Sequence, residues 1–158
     1  MEKIKCKCGV RKSQFLYCTA CYSPLGHVPP KVSLPVKLDI YRHPQENECK
    51  TTTIGCKIIA PDDTNIYVDR IQDNFSFKED VTRLVLLFPS KDAVPLSSID
   101  KNSFDKLIVI DGTWKQAKGM VSRLPKIRHV TIEPRETMFW RYQSFSKSYL
   151  STIEGIFD

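Results

Sequence analysis

The chain has 158 residues, of which 41% are hydrophobic, 10% aromatic and 27% charged, so a disordered protein and two full domains are both excluded. No apolar run approaches the roughly 20 residues that cross a bilayer and no signal peptide begins the chain, so we expect an intracellular protein of the nucleus or cytoplasm, without a membrane partner. The net charge of +6 favours a polyanionic partner such as a nucleic acid, although many basic proteins have none.

Four of the six cysteines form two close pairs near the amino terminus, namely Cys6, Cys8, Cys18 and Cys21. Intracellular thiols stay reduced, so clustered cysteines indicate metal ligands rather than disulfides. The spacing allows four thiolates to surround one Zn²⁺, with Gly9 permitting a turn under the first pair. Because such a site has no open position for water or substrate, we predict a structural zinc. Cys49 and Cys56 are interpreted as ordinary thiols.

Beyond the cysteines, the pattern of apolar residues predicts an alternation of strands and helices. Four prolines make segment 22–35 an extended connector. An apolar run at 54–60 ends at a Pro-Asp-Asp turn. The 114–124 segment is a predicted helix closed by Pro125, and a helical pattern begins again at Tyr149. Five strands are predicted, at 36–41, 66–68, 84–88, 107–110 and 128–132.

This order is typical of an α/β protein with a parallel sheet, in which ligands bind at the carboxyl ends of the strands. Asp111 directly follows one buried strand, so its carboxylate is expected to face a cleft there. Gly112 permits close backbone approach, Thr113 is a candidate helix cap, and Trp114 offers an apolar face. The alternative is a simple strand–turn–helix junction with a core tryptophan. The sequence contains no glycine-rich nucleotide loop.

The segment Asp111-Gly112-Thr113-Trp114-Lys115-Gln116-Ala117 resembles the Asp-x-Thr-Trp-x-x-Ala signature of the DTW-domain family. Four further blocks are similar to that family and follow its order, and the closing block resembles the eukaryotic tRNA-uridine aminocarboxypropyltransferase branch. They are the clustered cysteines, His43-Pro44-Gln45-Glu46 with Thr51-Thr52-Thr53, Phe88-Pro89-Ser90-Lys91-Asp92-Ala93, and Arg135-Glu136-Thr137 with 139–143 and 150–154.

The resemblance implies a SPOUT-like α/β fold with S-adenosylmethionine held in a knotted carboxyl-terminal region. Residues 1–30 would form the zinc module and linker, and residues 31–158 a catalytic domain shortened at its carboxyl terminus. The implied reaction alkylates uridine N3 of tRNA, in the D-loop, with release of methylthioadenosine. SPOUT relatives often form dimers, but the sequence does not specify an oligomeric state.

Candidate residues for this chemistry fall into three groups. Asp111 is the expected base for the imide proton. The donor-binding candidates are Ser90, Asp92, Thr113, Trp114, Ala117, Ser151, Thr152 and Glu154. The RNA-binding candidates are Lys115, Lys118, Arg123 and Arg141, with Lys126 and Arg128 extending the same basic track.

Several of these assignments have alternatives. Arg141 is equally suited to the donor carboxylate and to a tRNA phosphate, and residues 151–154 are equally suited to a helix cap. His43 is interpreted as loop structure, with an imidazole base as the alternative. The aromatic residues at 139–142 suit the core better than base stacking. Two other functions stay open, a non-catalytic zinc-stabilised RNA-binding protein and an S-adenosylmethionine-dependent RNA methyltransferase.

Overall fold

The computed structural model describes residues 4–9, 12–13, 17–47, 51–68 and 80–133. These ranges contain eight strands and two α-helices, joined by three short 3₁₀ turns at Val81–Arg83, Leu96–Ser98 and Lys101–Ser103. In chain order the elements are β1 (Ile4–Lys5), β2 (Lys12–Ser13), β3 (Lys37–Arg42), α1 (Ile54–Ile59), β4 (Thr64–Val68), β5 (Leu84–Leu87), β6 (Val94–Pro95), β7 (Lys106–Asp111), α2 (Trp114–Val121) and β8 (Arg128–Thr131).

Six of the strands form one parallel sheet in the order β4-β3-β7-β5-β8-β6. Every pairing in it is parallel, so the carboxyl ends of all six strands lie along one edge. β1 and β2 form a separate antiparallel pair beside the clustered cysteines. The protein is therefore a mixed α/β protein with a small amino-terminal module, as the sequence predicts.

The two helices cover opposite faces of the sheet. Val109 of β7 packs with Cys56 of α1 in one core cluster. The preceding residue, Ile108, packs with Met120 of α2 in a second cluster. Because side chains alternate along a strand, Asp111 projects from the same face as Val109, which is the face that α1 covers.

The five predicted strands are confirmed, with ends that shift by one or two residues. The predicted helix is confirmed as α2, although it ends at Val121 rather than at Leu124. The apolar run at 54–60 forms a helix, and β6 escaped prediction because it is a two-residue edge strand in which Pro95 is tolerated. The helical pattern from Tyr149 and the expected knot lie outside the described residues.

Candidate active site at the carboxyl ends of the strands

The Asp111 carboxylate is held by two threonine hydroxyls from the segment that precedes α1. Thr51 and Thr53 both donate to Oδ2 of Asp111, Thr53 at 2.9 Å. The two hydroxyl oxygens are themselves 2.7 Å apart. Asp111 is only 6% exposed, and both threonines are buried. The end of β7 and the start of α1 are thus joined through one carboxylate oxygen.

The ends of β3 and β7 meet beside this carboxylate. The backbone N–H of His43, the residue after β3, donates to the carbonyl of Asp111 at 2.8 Å. Arg42 is the register partner of Asp111 and is 3% exposed. Register partners in a parallel sheet project from the same face, so a buried cation and a buried carboxylate lie side by side at this edge.

The imidazole of His43 accepts a hydrogen bond within the turn that follows β3. The Gln45 N–H donates to Nδ1 of His43 at 3.2 Å, and the Glu46 N–H closes the turn on the His43 carbonyl. A neutral imidazole has one donor and one acceptor nitrogen, so this bond places the ring proton on Nε2. The acceptor lone pair is then occupied, which favours loop structure over an imidazole base.

Gly112 lies close to the side chains of His43 and Gln116. A Cβ added to Gly112 would lie 3.2 Å from the His43 Cβ and 3.1 Å from Oε1 of Gln116. We expect Gly112→Ala to lower the free energy of unfolding by about 1 kcal/mol, because both neighbours are held by hydrogen bonds. Urea denaturation followed by circular dichroism measures this loss.

Gly119 provides a matched control for that substitution. It lies within α2, and a Cβ there would meet nothing within 4 Å. Gly119→Ala is expected to raise the free energy of unfolding by up to about 1 kcal/mol, because alanine is the better helix former. Equal stabilisation by both substitutions would contradict the close approach at Gly112.

A second group of side chains lies on the α2 face of the same edge. Trp114, the first residue of α2, is 39% exposed, and its ring lies 6.1 Å from that of Phe88. The Phe88 ring contacts His129 edge to face, also at 6.1 Å. Nδ1 of His129 lies 2.9 Å from the Ser90 hydroxyl. These three rings, of Phe88, Trp114 and His129, form an aromatic surface. The aromatic surface and the Asp111 carboxylate therefore lie on opposite faces of the sheet at this edge.

The predicted donor-binding residues divide by exposure. Ser90, Asp92, Thr113 and Trp114 are exposed near the strand ends, whereas Ala117 packs in the core cluster of α2. Thr113 is also the predicted cap. Its hydroxyl accepts from the Gln116 N–H while Gln116 Oε1 accepts from the Thr113 N–H at 2.7 Å. Ser151, Thr152 and Glu154 lie outside the described residues.

The basic residues predicted for RNA lie on and just after α2. Lys115, Lys118 and Arg123 are exposed, and Nε of Arg123 donates to the Gly119 carbonyl at 3.1 Å. Arg128 starts β8 and donates to the Ser103 hydroxyl at 3.1 Å, away from the carboxyl-terminal edge. Arg141 lies outside the described part of the chain.

The four clustered cysteines converge as the sequence predicts. Their sulfurs lie within 4.8 Å of one another, with Cys6 and Cys21 at 3.5 Å and Cys8 and Cys18 at 3.7 Å. A tetrahedral site with Zn–S bonds of about 2.3 Å places its sulfurs about 3.8 Å apart. The donor set and the spacing therefore fit a four-thiolate zinc site.

Each cysteine pair is wrapped by a turn that closes just after its second cysteine. The Gly9 N–H donates to the Cys6 carbonyl at 3.0 Å, and the Tyr22 N–H donates to the Cys18 carbonyl at 2.8 Å. Gly9 and Tyr22 both have positive φ angles, +75° and +58°. The sequence identified the role of Gly9, but Tyr22 carries no signal for this conformation because tyrosine rarely adopts it.

The thiols of this cluster differ in acidity. Hydrogen bonding to Ser23, first through its hydroxyl, lowers the pKa of the Cys21 thiol to about 6. A backbone hydrogen bond from Cys8 lowers the pKa of Cys6, but the Cys8 thiol and burial outweigh it and raise that pKa to about 12. Thiols bind zinc as thiolates, so zinc uptake by this cluster would release protons and would depend on pH.

Sequence reasoning missed the contacts that connect these residues. Thr51 and Thr53 belong to a block that resembles the family, but no pattern linked them to Asp111. The pairing of His129 with Ser90 also carried no signal in the sequence. Both contacts join segments separated by 39 or more residues.

The fold and the site define an α/β protein with polar residues gathered at the carboxyl ends of a parallel sheet, and a four-cysteine module precedes that sheet in the chain. None of the helices in the described ranges is long and apolar enough to span a membrane. The sequence model of the DTW-domain family matches residues 15–158, and the chain belongs to that family.

Several curated proteins are similar over most of the chain. A Xenopus laevis protein named tRNA-uridine aminocarboxypropyltransferase 1 is 31% identical over 97% of this chain and 68% of its own length. The Homo sapiens protein of the same name is 31% identical over 97% of this chain and 66% of its own length. The Drosophila melanogaster tRNA-uridine aminocarboxypropyltransferase 2 is 30% identical over 70% and 47%. No solved structure matches the chain significantly.

Proposed function

We propose that this protein is a tRNA-uridine aminocarboxypropyltransferase, which moves the 3-amino-3-carboxypropyl group of S-adenosylmethionine to N3 of a D-loop uridine. The observation that carries the proposal is the similarity across 97% of the chain to proteins named for this activity. The signature residues at the end of β7 add support, because the strand ends of a parallel sheet are where such folds bind ligands.

The reaction needs a base and correct positioning of its two substrates. Uridine N3 loses its proton, and its lone pair then forms a bond to the terminal carbon of the aminocarboxypropyl group. The bond from that carbon to the sulfonium breaks, and the electron pair stays on sulfur, so methylthioadenosine leaves uncharged. The sulfonium already activates the carbon, and no metal is required at the reacting centre.

Asp111 is the base in this proposal. Among the described residues, both of its hydrogen-bond donors go to Oδ2, so Oδ1 is the oxygen that receives the N3 proton. A carboxylate fixed at the end of a central strand keeps the same position from one turnover to the next. The burial of Asp111 also limits competition by water for the proton.

Both substrates are held by residues on the α2 side of the edge, so their reacting groups reach the Asp111 carboxylate across the strand ends. The exposed residues around the aromatic surface bind the donor, and the basic residues of α2 bind phosphates of the tRNA. Ala117 shapes the donor site from within the core. The donor set is Ser90, Asp92, Thr113, Trp114, Ala117, Ser151, Thr152 and Glu154, and the RNA set is Lys115, Lys118, Arg123 and Arg141.

The cysteine cluster holds one structural Zn²⁺ in this account. It ties residues 1–30 into a module in front of the catalytic domain at 31–158. The four sulfurs would fill a tetrahedral coordination shell, which leaves no open position for water or substrate. The protein acts inside the cell, where thiolates stay available to the metal.

Incubation with unmodified tRNA and S-adenosylmethionine tests the reaction type through the small product. Methylthioadenosine that forms only when tRNA is present is the expected result. S-Adenosylhomocysteine in its place would identify a methyltransferase. Binding of tRNA with neither product would identify a non-catalytic RNA-binding protein, and either outcome would overturn the proposal.

A further inference from the structure

We propose that Thr51 and Thr53 are positioning residues for the transfer reaction, because together they fix the rotation of the Asp111 carboxylate. The catalytic consequence of this inference rests on the proposed function. The geometric part, which concerns where the carboxylate points, stands on the contacts alone. Neither threonine touches a substrate in this account, since Thr51 is 7% exposed and Thr53 is fully buried.

Both hydroxyl donors converge on a single carboxylate oxygen. Thr51 and Thr53 donate to Oδ2 of Asp111 although they lie 60 and 58 residues away in the sequence. The terminal torsion of an aspartate is broad and nearly two-fold, so packing alone does not select one orientation. Two donors on one oxygen select it, and Oδ1 is then aimed in a single direction.

Thr53 precedes α1 but does not cap it with its side chain. It occupies the N-cap position of α1, where a threonine hydroxyl usually accepts a backbone N–H of the first helical turn. Its side chain makes no such capping bond. By contrast, Thr113 at the start of α2 does cap its helix. Thr53 has helical dihedral angles (φ −71°, ψ −22°) rather than the extended ones of a capping residue, and its hydroxyl donates to Asp111 instead.

Thr51 is itself held in the orientation that donation requires. Its single hydroxyl proton goes to Asp111, while its oxygen accepts the backbone N–H of Thr53 at 3.3 Å. The backbone N–H of Thr53 therefore donates to the Thr51 hydroxyl, and that hydroxyl donates to the carboxylate. A serine preserves this order, whereas a valine of nearly equal volume removes it.

The kinetic test compares Thr51→Val and Thr53→Val with their serine counterparts. We expect each valine variant to lower kcat by about 10- to 100-fold, the range for a lost hydrogen bond to a charged group, with KM for tRNA and donor nearly unchanged. Thr51→Ser and Thr53→Ser should restore most of the rate. Thr52→Val is the matched control, because the Thr52 hydroxyl makes no contact with Asp111 among the described residues.

Crystal structures of the two valine variants separate this inference from the proposed function. The expected result is an Asp111 carboxylate that has rotated or become disordered, with the backbone of β7 in place. A carboxylate that keeps its orientation in both variants would overturn the inference, and so would wild-type kcat in an active enzyme. If the wild-type protein transfers nothing, the proposed function fails, while the crystal structures still decide whether the threonines orient Asp111.

Discussion

Asp111→Asn is expected to lower the rate of aminocarboxypropyl transfer by about 10²- to 10⁴-fold, the contribution typical of a general base. The amide oxygen of asparagine can still accept both threonine hydroxyls, so the fold and the binding of donor are retained. The amide cannot take the N3 proton of uridine. Single-turnover rates with saturating tRNA and S-adenosylmethionine measure the loss at the chemical step.

Two further variants test whether the loss of rate is specific to the Asp111 carboxylate. Asp62→Asn removes an exposed carboxylate from the opposite edge of the sheet and should leave the rate unchanged. Asp111→Ala leaves two buried hydroxyls without their acceptor and should lower the free energy of unfolding by about 1–3 kcal/mol, which Asp111→Asn should not. Turnover by Asp111→Asn at the wild-type rate would remove Asp111 from the catalytic role.

Cys18→Ser is expected to abolish stoichiometric zinc binding and to unfold the amino-terminal module. Cys18 is fully buried, and its sulfur lies 3.7 Å from that of Cys8. Structural zinc contributes about 10–16 kcal/mol of apparent binding free energy in small metal-dependent modules, so little of this module should fold without it. Elemental analysis of the purified protein and thermal melting with and without a chelator measure both effects.

Cys56→Ala is the control for the zinc experiment. Burial, more than the nearby Asp111 carboxylate, raises the pKa of the Cys56 thiol to about 12, so at neutral pH it is not the thiolate that binds metals. This variant should keep its zinc. If Cys18→Ser retains a full equivalent of zinc, the four-cysteine assignment is wrong.

The strands were predictable because the local sequence determines them. Continuous apolar runs at β5 and β7, bounded by turn residues, are typical of buried parallel strands. The helix α1 was not predictable in the same way. Its six residues are too few for a 3.6-residue period to distinguish them from a strand, and Ile54 and Cys56 are buried as either structure would require.

The position of Asp111 at a strand end was predictable, but its surroundings were not. The neighbour relation of β3 and β7, separated by more than 60 residues, brings Thr51 and Thr53 to it. The sequence also gave no means of assigning Asp111 and Trp114 to opposite faces. A strand buried on both sides is apolar throughout, so the pattern does not reveal which face any one residue occupies.

The most direct test of the central claim is nucleoside analysis, by mass spectrometry, of unmodified tRNA after incubation with the protein and S-adenosylmethionine. We expect 3-(3-amino-3-carboxypropyl)uridine with the wild-type protein and none with Asp111→Asn. Unmodified uridine after incubation with the zinc-loaded wild-type protein, under conditions in which it binds tRNA, would contradict the account.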